Sequence, residues 1–283
     1  MSSKLINGKE IGNTIRESIK LEVNALKDKG ITPGLAVILV GDDQASQKYV
    51  SNKQKSCEQL GIYSELIKLP ADTTEEDLLK HIEELNQKDA IDGILVQLPL
   101  PKHINEDAVI AAISPEKDVD GFHPISVGKM ILGQETFLPC TPHGVMKLLQ
   151  HSNVTIRGKH AVVVGRSHIV GVPMGQLLLQ SDATVTYAHS KTPDLAAITK
   201  QADILVVATG RAKMIKKEHV KEGAVVIDVG MDLDENGKLC GDVDFDDVFD
   251  TVSAITPVPG GVGPMTITML LVNTVQSAKQ KLS

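Results

Sequence analysis

Gly165-Arg166-Ser167-His168-Ile169-Val170-Gly171-Val172-Pro173 is the stretch whose reading decides the fold. A β-branched run at 161–164 precedes it and a helix-like segment at 174–180 follows, so it reads as strand, tight glycine turn and helix N-terminus. The unpaired N–H groups and positive dipole end of such a helix favour an anion. The spacing is not G-x-G-x-x-G: the second glycine falls six residues after the first, and Ser167 takes the place of the middle glycine. Spacing alone leaves two readings open, dinucleotide phosphate binding and an ordinary strand-to-helix turn. The next expected strand, 183–188, ends at His189-Ser190-Lys191-Thr192, about 20 residues on, where an NAD-binding unit places a carboxylate for the ribose 2′-OH. A hydroxyl and a cation stand there instead, with Arg166 in the first turn. That chemistry suits a 2′-phosphate and hence NADP; the other reading is a polar surface turn.

Outward from this loop, strand and helix alternate in both directions. Towards the N-terminus the pattern predicts a helix from Asn7 and Glu10 (a capping-box pair) to about Lys29, closed by Gly30. Residues 34–40 form a continuous apolar run, the signature of a strand buried on both faces. A helix at 46–60, a strand at 62–69, a helix at 74–86, a strand at 93–98 and a short helix at 105–112 follow. Alternation of this kind argues for a parallel sheet covered on both sides. The rhythm breaks at 123–140, a connector with one short helix. A helix at 141–150 leads to strands near 161–165, 183–188, 203–208, 224–229 and 252–256, with a loop or short hairpin punctuated by Gly237 and Gly241. The last helix is expected over 265–281, with Pro264 as its first residue.

Composition bounds the function classes. At 283 residues the chain is comfortable for two cores. A net charge of −7 without a basic stripe argues against nucleic acid, and no apolar run approaches the ~18 residues of a membrane span. The opening Met1-Ser2-Ser3-Lys4-Leu5-Ile6-Asn7-Gly8 has no signal-peptide core. Cys57, Cys140 and Cys240 fit neither a disulfide framework nor a zinc pattern, so a reducing, cytoplasmic compartment and no metal are expected.

Several polar residues fall where an open α/β sheet binds ligands, at the carboxyl ends of its strands. Tyr49 and Lys53, four apart, share a face of the helix that follows the 34–40 strand. Gln97 ends another strand, with Pro99 and Pro101 turning the chain there. Asp118 and Asp120 flank Val119 just before Gly121, where a carboxylate could accept paired N–H donors from a ligand. A solvated lysine beside a half-buried tyrosine is the bland alternative for the first pair. The run Ile255-Thr256-Pro257-Val258-Pro259-Gly260-Gly261-Val262-Gly263-Pro264-Met265-Thr266 fixes an irregular backbone. It serves either as a rigid redirecting loop or for close approach to a flat ligand.

Taken together these pieces resemble, from end to end, the bifunctional methylenetetrahydrofolate dehydrogenase/methenyltetrahydrofolate cyclohydrolase family. The motifs that carry the resemblance are Tyr49-Val50-Ser51-Asn52-Lys53, Asp92-Gly93-Ile94-Leu95-Val96-Gln97-Leu98-Pro99-Leu100-Pro101, Lys117-Asp118-Val119-Asp120-Gly121-Phe122 and Pro139-Cys140-Thr141-Pro142. The 165–173 loop, Val226-Ile227-Asp228-Val229-Gly230, Gly241-Asp242-Val243-Asp244 and the 256–266 segment complete the set.

The resemblance implies an α/β chain of two αβ domains with a cleft between them. Residues 1–140 would form a parallel-sheet folate and catalytic lobe, with the helix at 265–283 packed back on it, and residues 141–264 a Rossmann-type NADP lobe. It implies oxidation of 5,10-methylenetetrahydrofolate by NADP⁺, hydrolysis of the methenyl product to 10-formyltetrahydrofolate, and a homodimer paired through the cofactor lobe. Carried over position by position, Lys53 would be the central catalytic group and Tyr49 would stack on folate. Gln97 would hold Lys53, and Asp120 would anchor the pterin. Gly165, Arg166, Ser167 and Ser190 would meet the cofactor, Met231 would back it through its main chain, and Pro259, Gly260 and Gly261 would approach the substrate. Two rivals are a monofunctional NAD(P) dehydrogenase on another small substrate and a cofactor-sensing regulator. Neither has a reason to keep Tyr49, Lys53, Gln97 and Asp120 together.

Overall fold

A computed structural model describes residues 4–282; Met1, Ser2 and Ser3 of the opening stretch, and Ser283, lie outside the described residues. The chain divides into two compact units, one of Thr14–Cys140 with residues 267–282, the other of residues 4–13 with Thr141–Thr266. Residues 4–13, counted above with the first half, thus group with the second. Ile6 N donates to Ile255 O at 2.9 Å, Ile255 N donates to Lys4 O at 2.8 Å, and Leu5 bridges Ile255 in parallel.

The first half of the chain runs α1 (Gly8–Lys27), β1 (Gly34–Val40), α2 (Gln44–Leu60), β2 (Tyr63–Leu69), α3 (Glu75–Asn86), β3 (Gly93–Val96), α4 (Glu106–Ala112) and α5 (Pro124–Ile131). Its three strands pair in parallel in the order β2-β1-β3. All seven residues of central β1 are buried, as its unbroken apolar run requires. Leu78, Ile82 and Leu85 recur at helical spacing along α3 and are buried in one cluster with Ile38 and Ile94. Burial of each such side chain contributes roughly 1.5–3 kcal/mol. Helix α2 starts where the Asp43 carboxylate accepts Ser46 N at 2.7 Å and stops at Gly61, whose φ of 73° is left-handed. The Asn7 side chain accepts Glu10 N at 3.2 Å, the expected opening of α1. Strand β3 ends two residues short of expectation. Gln97 N still reaches Ile38 O at 2.9 Å, but Pro99 has no N–H to extend the ladder.

The second half runs α6 (Cys140–His151), β4 (His160–Val164), α7 (Gly171–Gln180), β5 (Thr184–Ala188), α8 (Leu195–Thr199), β6 (Ile204–Val207), β7 (Val225–Asp228), β8 (Asp232–Leu233), β9 (Leu239–Cys240), α9 (Phe245–Val248), β10 (Ala254–Ile255) and α10 (Val262–Lys279). Five parallel strands pair in the order β10-β7-β6-β4-β5, and β8 with β9 makes a separate antiparallel hairpin. The sheet turns about β4, whose sequence successor β5 lies on one side and β6 on the other. That is the switch point at which open α/β sheets bind ligands.

Two expected helix starts need correction. Helix α7 begins at Gly171, three residues before 174, because Ser167 Oγ accepts Val170 N at 3.2 Å and Gly171 N at 3.3 Å. Helix α10 begins at Val262, so Pro264 is its third residue rather than its first. It still lies in the first turn, where a missing N–H costs no intrahelical bond. The short helices α8 and α9 escaped the sequence pattern; α8 spans five residues and is started by Asp194, whose side chain accepts Ala197 N at 3.1 Å. Among the described residues no helix is long and apolar enough to cross a membrane.

Candidate active site

Helix α2 leaves the carboxyl end of β1 and carries Tyr49 and Lys53 on one face. Lys53 is only 7 % exposed. Its Nζ donates to Gln97 Oε1 at 2.9 Å, across the pairing of β1 with β3. Gln97 is itself oriented, since its Nε2 donates to Leu98 O at 2.7 Å. The amide oxygen therefore faces the amine, and the lysine has a fixed acceptor. Tyr49, half-buried one turn earlier, has its phenol pKa raised by burial.

Burial lowers the Lys53 pKa, against opposing pulls from Asp120, Cys140 and Cys57. Burial holds the Cys57 thiol up at about 12 and the Cys140 thiol well above its ordinary value. Both stay neutral, so Asp120 is the group that can balance a charged Lys53. Burial raises the Asp120 carboxyl to about 6, with Lys53 pulling it down and Asp118 pushing it up. Burial thus pulls the amine down and the carboxyl up, bringing their proton affinities closer together.

The two aspartates of the 118–120 motif separate in role. Asp118 is 2 % exposed, and its carboxylate accepts Phe122 N at 3.2 Å and His123 N at 2.9 Å. It builds the turn into α5 and has little left for a ligand, although burial raises it to about 6. Asp120 is half-buried, and it is the one that acts on Lys53.

In the other unit, Gly165 sits at φ 135° and a Cβ there would overlap the Ala208 carbonyl, so the loop after β4 can be built only with glycine. Arg166 and Ser167 are exposed on it, and Ser190 is exposed just after β5. Ser167 spends its oxygen lone pairs on the helix cap, which leaves its O–H to donate to an anion. Met231 is 44 % exposed, two residues beyond Val229, whose N–H continues the sheet to Val207 O at 2.9 Å. Pro259, Gly260 and Gly261 form a built turn: Lys9 N donates to Gly260 O at 3.0 Å, and Gly8 lies where a Cβ would overlap the Gly261 carbonyl. Part of that backbone is thus used internally. The cavity of about 190 Å³ lined by Lys213, Asp234, Lys238, Cys240 and Asp246 contains none of the expected site residues.

Asp228 and Asp242 stand in the family motifs, but their spacing in sequence does not disclose what they do. Asp228 is 3 % exposed; it accepts Gly230 N at 2.9 Å, Asp242 N at 3.0 Å and Val243 N at 2.9 Å. Asp242 is fully buried and accepts Thr209 N at 2.6 Å, Gly210 N at 3.2 Å and Arg211 N at 2.7 Å. Side-chain oxygens here replace a missing strand, fixing the loops after β6 and β7 and hence the position of Met231. Asn273 on α10 was also missed. It contacts Val119, Leu138 and Cys140, far from it in sequence.

Comparison with known proteins identifies the family. Residues 6–120 match the catalytic-domain model of tetrahydrofolate dehydrogenase/cyclohydrolase, and residues 139–282 match its NAD(P)-binding-domain model. The bifunctional protein FolD of Lysinibacillus sphaericus is 71 % identical over 283 residues, covering all of both chains. The crystal structure of the bifunctional FolD methylenetetrahydrofolate dehydrogenase/cyclohydrolase from Campylobacter jejuni has a TM-score of 0.96 at 52 % identity, covering 98 % of this chain and 99 % of that one. The Trypanosoma brucei methylenetetrahydrofolate dehydrogenase-cyclohydrolase, complexed with NADP cofactor and inhibitor, has a TM-score of 0.94 at 41 % identity and 98 % coverage of each chain. On this likeness, which spans both units, the chain belongs to the tetrahydrofolate dehydrogenase/cyclohydrolase family.

Proposed function

We infer that the chain oxidises 5,10-methylenetetrahydrofolate with NADP⁺ and hydrolyses the 5,10-methenyl product to 10-formyltetrahydrofolate, with Lys53 at the centre of the second step. The observation that carries the residue assignment is the buried Lys53 amine, held 2.9 Å from Gln97 Oε1 and balanced by Asp120. Methenyltetrahydrofolate is an electron-poor, amidinium-like carbon, so its hydrolysis needs an oriented water and proton transfer more than a strong nucleophile. Lys53 Nζ, its pKa lowered by burial, takes one proton of that water and returns it to the departing ring nitrogen, and the other proton leaves to solvent as the formyl C=O forms. Gln97 holds Nζ in place through both events. Asp120 keeps the ammonium form accessible and accepts N–H donors of the pterin, while the half-buried Tyr49 ring offers it a stacking face.

The residues around the loop after β4 fit NADP. Gly165 keeps the backbone free of a side chain, Arg166 and Ser190 offer a cation and a hydroxyl to a 2′-phosphate, and no carboxylate ends β5 to repel it. When bound, NADP⁺ supplies the hydride acceptor. A cytoplasmic homodimer paired through the cofactor unit completes the proposal; Leu233, on the β8–β9 hairpin of that unit, is 65 % exposed.

The test uses the purified chain with methylenetetrahydrofolate and each nicotinamide cofactor, following reduced cofactor, and separately follows the disappearance of supplied methenyltetrahydrofolate. Both activities are expected, with NADP⁺ giving the higher kcat/KM. Disappearance of methenyltetrahydrofolate at the uncatalysed rate would reduce the reading to a dehydrogenase. Sedimentation velocity at micromolar concentration checks the dimer.

A further inference from the structure

Asn273 is 1 % exposed on α10 and takes no direct part in the chemistry above. Its amide nitrogen donates to Val119 O at 2.8 Å and to Leu138 O at 3.0 Å, and lies 3.7 Å from Cys140 Sγ. Both close partners are carbonyl oxygens, so the nitrogen must face them and its two hydrogens are spoken for. Those carbonyls belong to two chain segments that meet around Asp120. Cys140 Sγ donates to Val119 O at 3.2 Å, and Cys140 N donates to Asp120 O at 3.3 Å. Gly121, at φ 74°, lies so close to the second segment that a Cβ would sit 2.6 Å from Leu138 C and Pro139 N. One turn along the same face of α10, Ser277 Oγ lies 2.7 Å from Asp92 O and 2.8 Å from Glu116 O, within donating reach of both. The helix thus braces the backbone on the approach to Asp120 and at the residue preceding it.

We propose that Asn273 is a positioning residue of this active site: by holding the Val119 and Leu138 carbonyls together it fixes the turn that presents the Asp120 carboxylate to Lys53 and to folate. The inference rests on the reading of Asp120 as the folate anchor. Asn273→Leu keeps the approximate shape and deletes both donors. The charged and titratable groups acting on Lys53 are Asp120, Cys140 and Cys57, and the two thiols stay neutral. A displaced Asp120 carboxylate is therefore what changes the charge balance at the amine, and it stabilises the ammonium less.

The experiment measures KM for methylenetetrahydrofolate and for NADP⁺, the pH profile of methenyl hydrolysis, and the melting temperature. It compares wild type, Asn273→Leu, Asp120→Asn, Cys140→Ala and Cys140→Ser. Asn273→Leu is expected to raise the folate KM by about tenfold with the NADP⁺ KM nearly unchanged. It should also move the acid limb of hydrolysis to lower pH, in the direction of Asp120→Asn but less far. Cys140→Ala, which removes one of two donors from Val119 O, is expected to raise the folate KM by about threefold, and Cys140→Ser to restore it. If Asn273→Leu does not fold, Asn273→Ala carries the test, and a folded Asn273→Ala with wild-type folate KM and pH limb overturns the inference. A folded Asn273→Leu with a lowered melting temperature but wild-type folate KM and pH limb shows a merely structural role and also overturns it. An unchanged folate KM in Asp120→Asn instead removes the underlying reading of Asp120.

Discussion

Two regions bury aspartates beside glycine turns, one around Asp228 and Asp242, the other around Asp118 and Asp120. In the first, six backbone N–H contacts converge on two carboxylates, and Gly230 and Gly241 allow the approach by having no Cβ. In the second, Asp118 finds the same kind of backbone partners, whereas Asp120 has the charge of buried Lys53 and a side-chain hydrogen bond with Cys140. A carboxylate saturated by main-chain donors is architecture, because its bonds are complete before any ligand arrives. One whose neighbours are side chains, as Asp120 has Lys53 and Cys140, is less completely committed to the backbone. The difference lies in the partners, since burial raises Asp118, Asp120 and Asp228 alike.

This contrast can be broken by substitution. The largest effect is expected from Asp228→Ala, which strands three buried donors and should cost roughly 3–5 kcal/mol of stability, read by urea titration. A loss below about 1 kcal/mol would remove the architectural reading. Asp228→Asn, which keeps one acceptor oxygen, should lose less. Next comes Lys53→Met, which keeps length and packing. Methenyl hydrolysis should fall at least ~10²-fold with little loss of stability, and the dehydrogenase should fall less, since hydride passes without a side-chain proton carrier. Hydrolysis near the wild-type rate in a folded variant would show that Lys53 is not the proton carrier.

Asp120→Ala should weaken folate binding by about tenfold or more, the loss of one charge-assisted bond at about 1.5–3 kcal/mol. Isothermal titration should find NADP⁺ affinity nearly unchanged, and equal losses for both ligands would point to misfolding instead. Ser190→Asp puts a carboxylate where no backbone donors converge on it. It should erase or reverse the preference for NADP⁺ by repelling a 2′-phosphate, and an unchanged kcat/KM ratio for the two cofactors would refute that contact.

The last test is a difference of slopes. Asp228 is raised from 3.8 to about 7 on folding, so between those values the folded state holds a proton that the unfolded state has released. Its contribution to stability is full below about pH 4 and is lost as pH rises towards 7. Urea stability should therefore decline with rising pH more steeply in the wild type than in Asp228→Asn, and parallel curves would show that Asp228 does not titrate in that window.

Much of the fold was legible because it is local. The 34–40 run and the β-branched 161–164 run each announce a buried parallel strand, and glycines such as Gly61 mark helix ends. Helix starts were less legible where a side chain sets them from outside the periodic pattern, as Ser167 does for α7. At the site, Tyr49 and Lys53 could be put on one face by counting, and Gln97 at a strand end by its prolines. The split between Asp118 and Asp120 could not, because two aspartates flanking one valine look equivalent until the turn closes. Asn273 was invisible for a different reason: its partner Val119 lies 154 residues away, and an asparagine in an apolar helix gives no sign of which carbonyls it will meet.

That separation also has a history in time. A ribosome adds about 5–20 residues per second, so Val119 and Asp120 are made roughly 8–30 s before the asparagine that braces them. Throughout that interval the nascent chain already has Lys53, Gln97 and Asp120, yet lacks the helix whose Asn273 bonds the carbonyl just before Asp120. A polypeptide ending before residue 273 would carry these three residues and lack both the Asn273 donor to Val119 O and the Ser277 contacts to Asp92 O and Glu116 O.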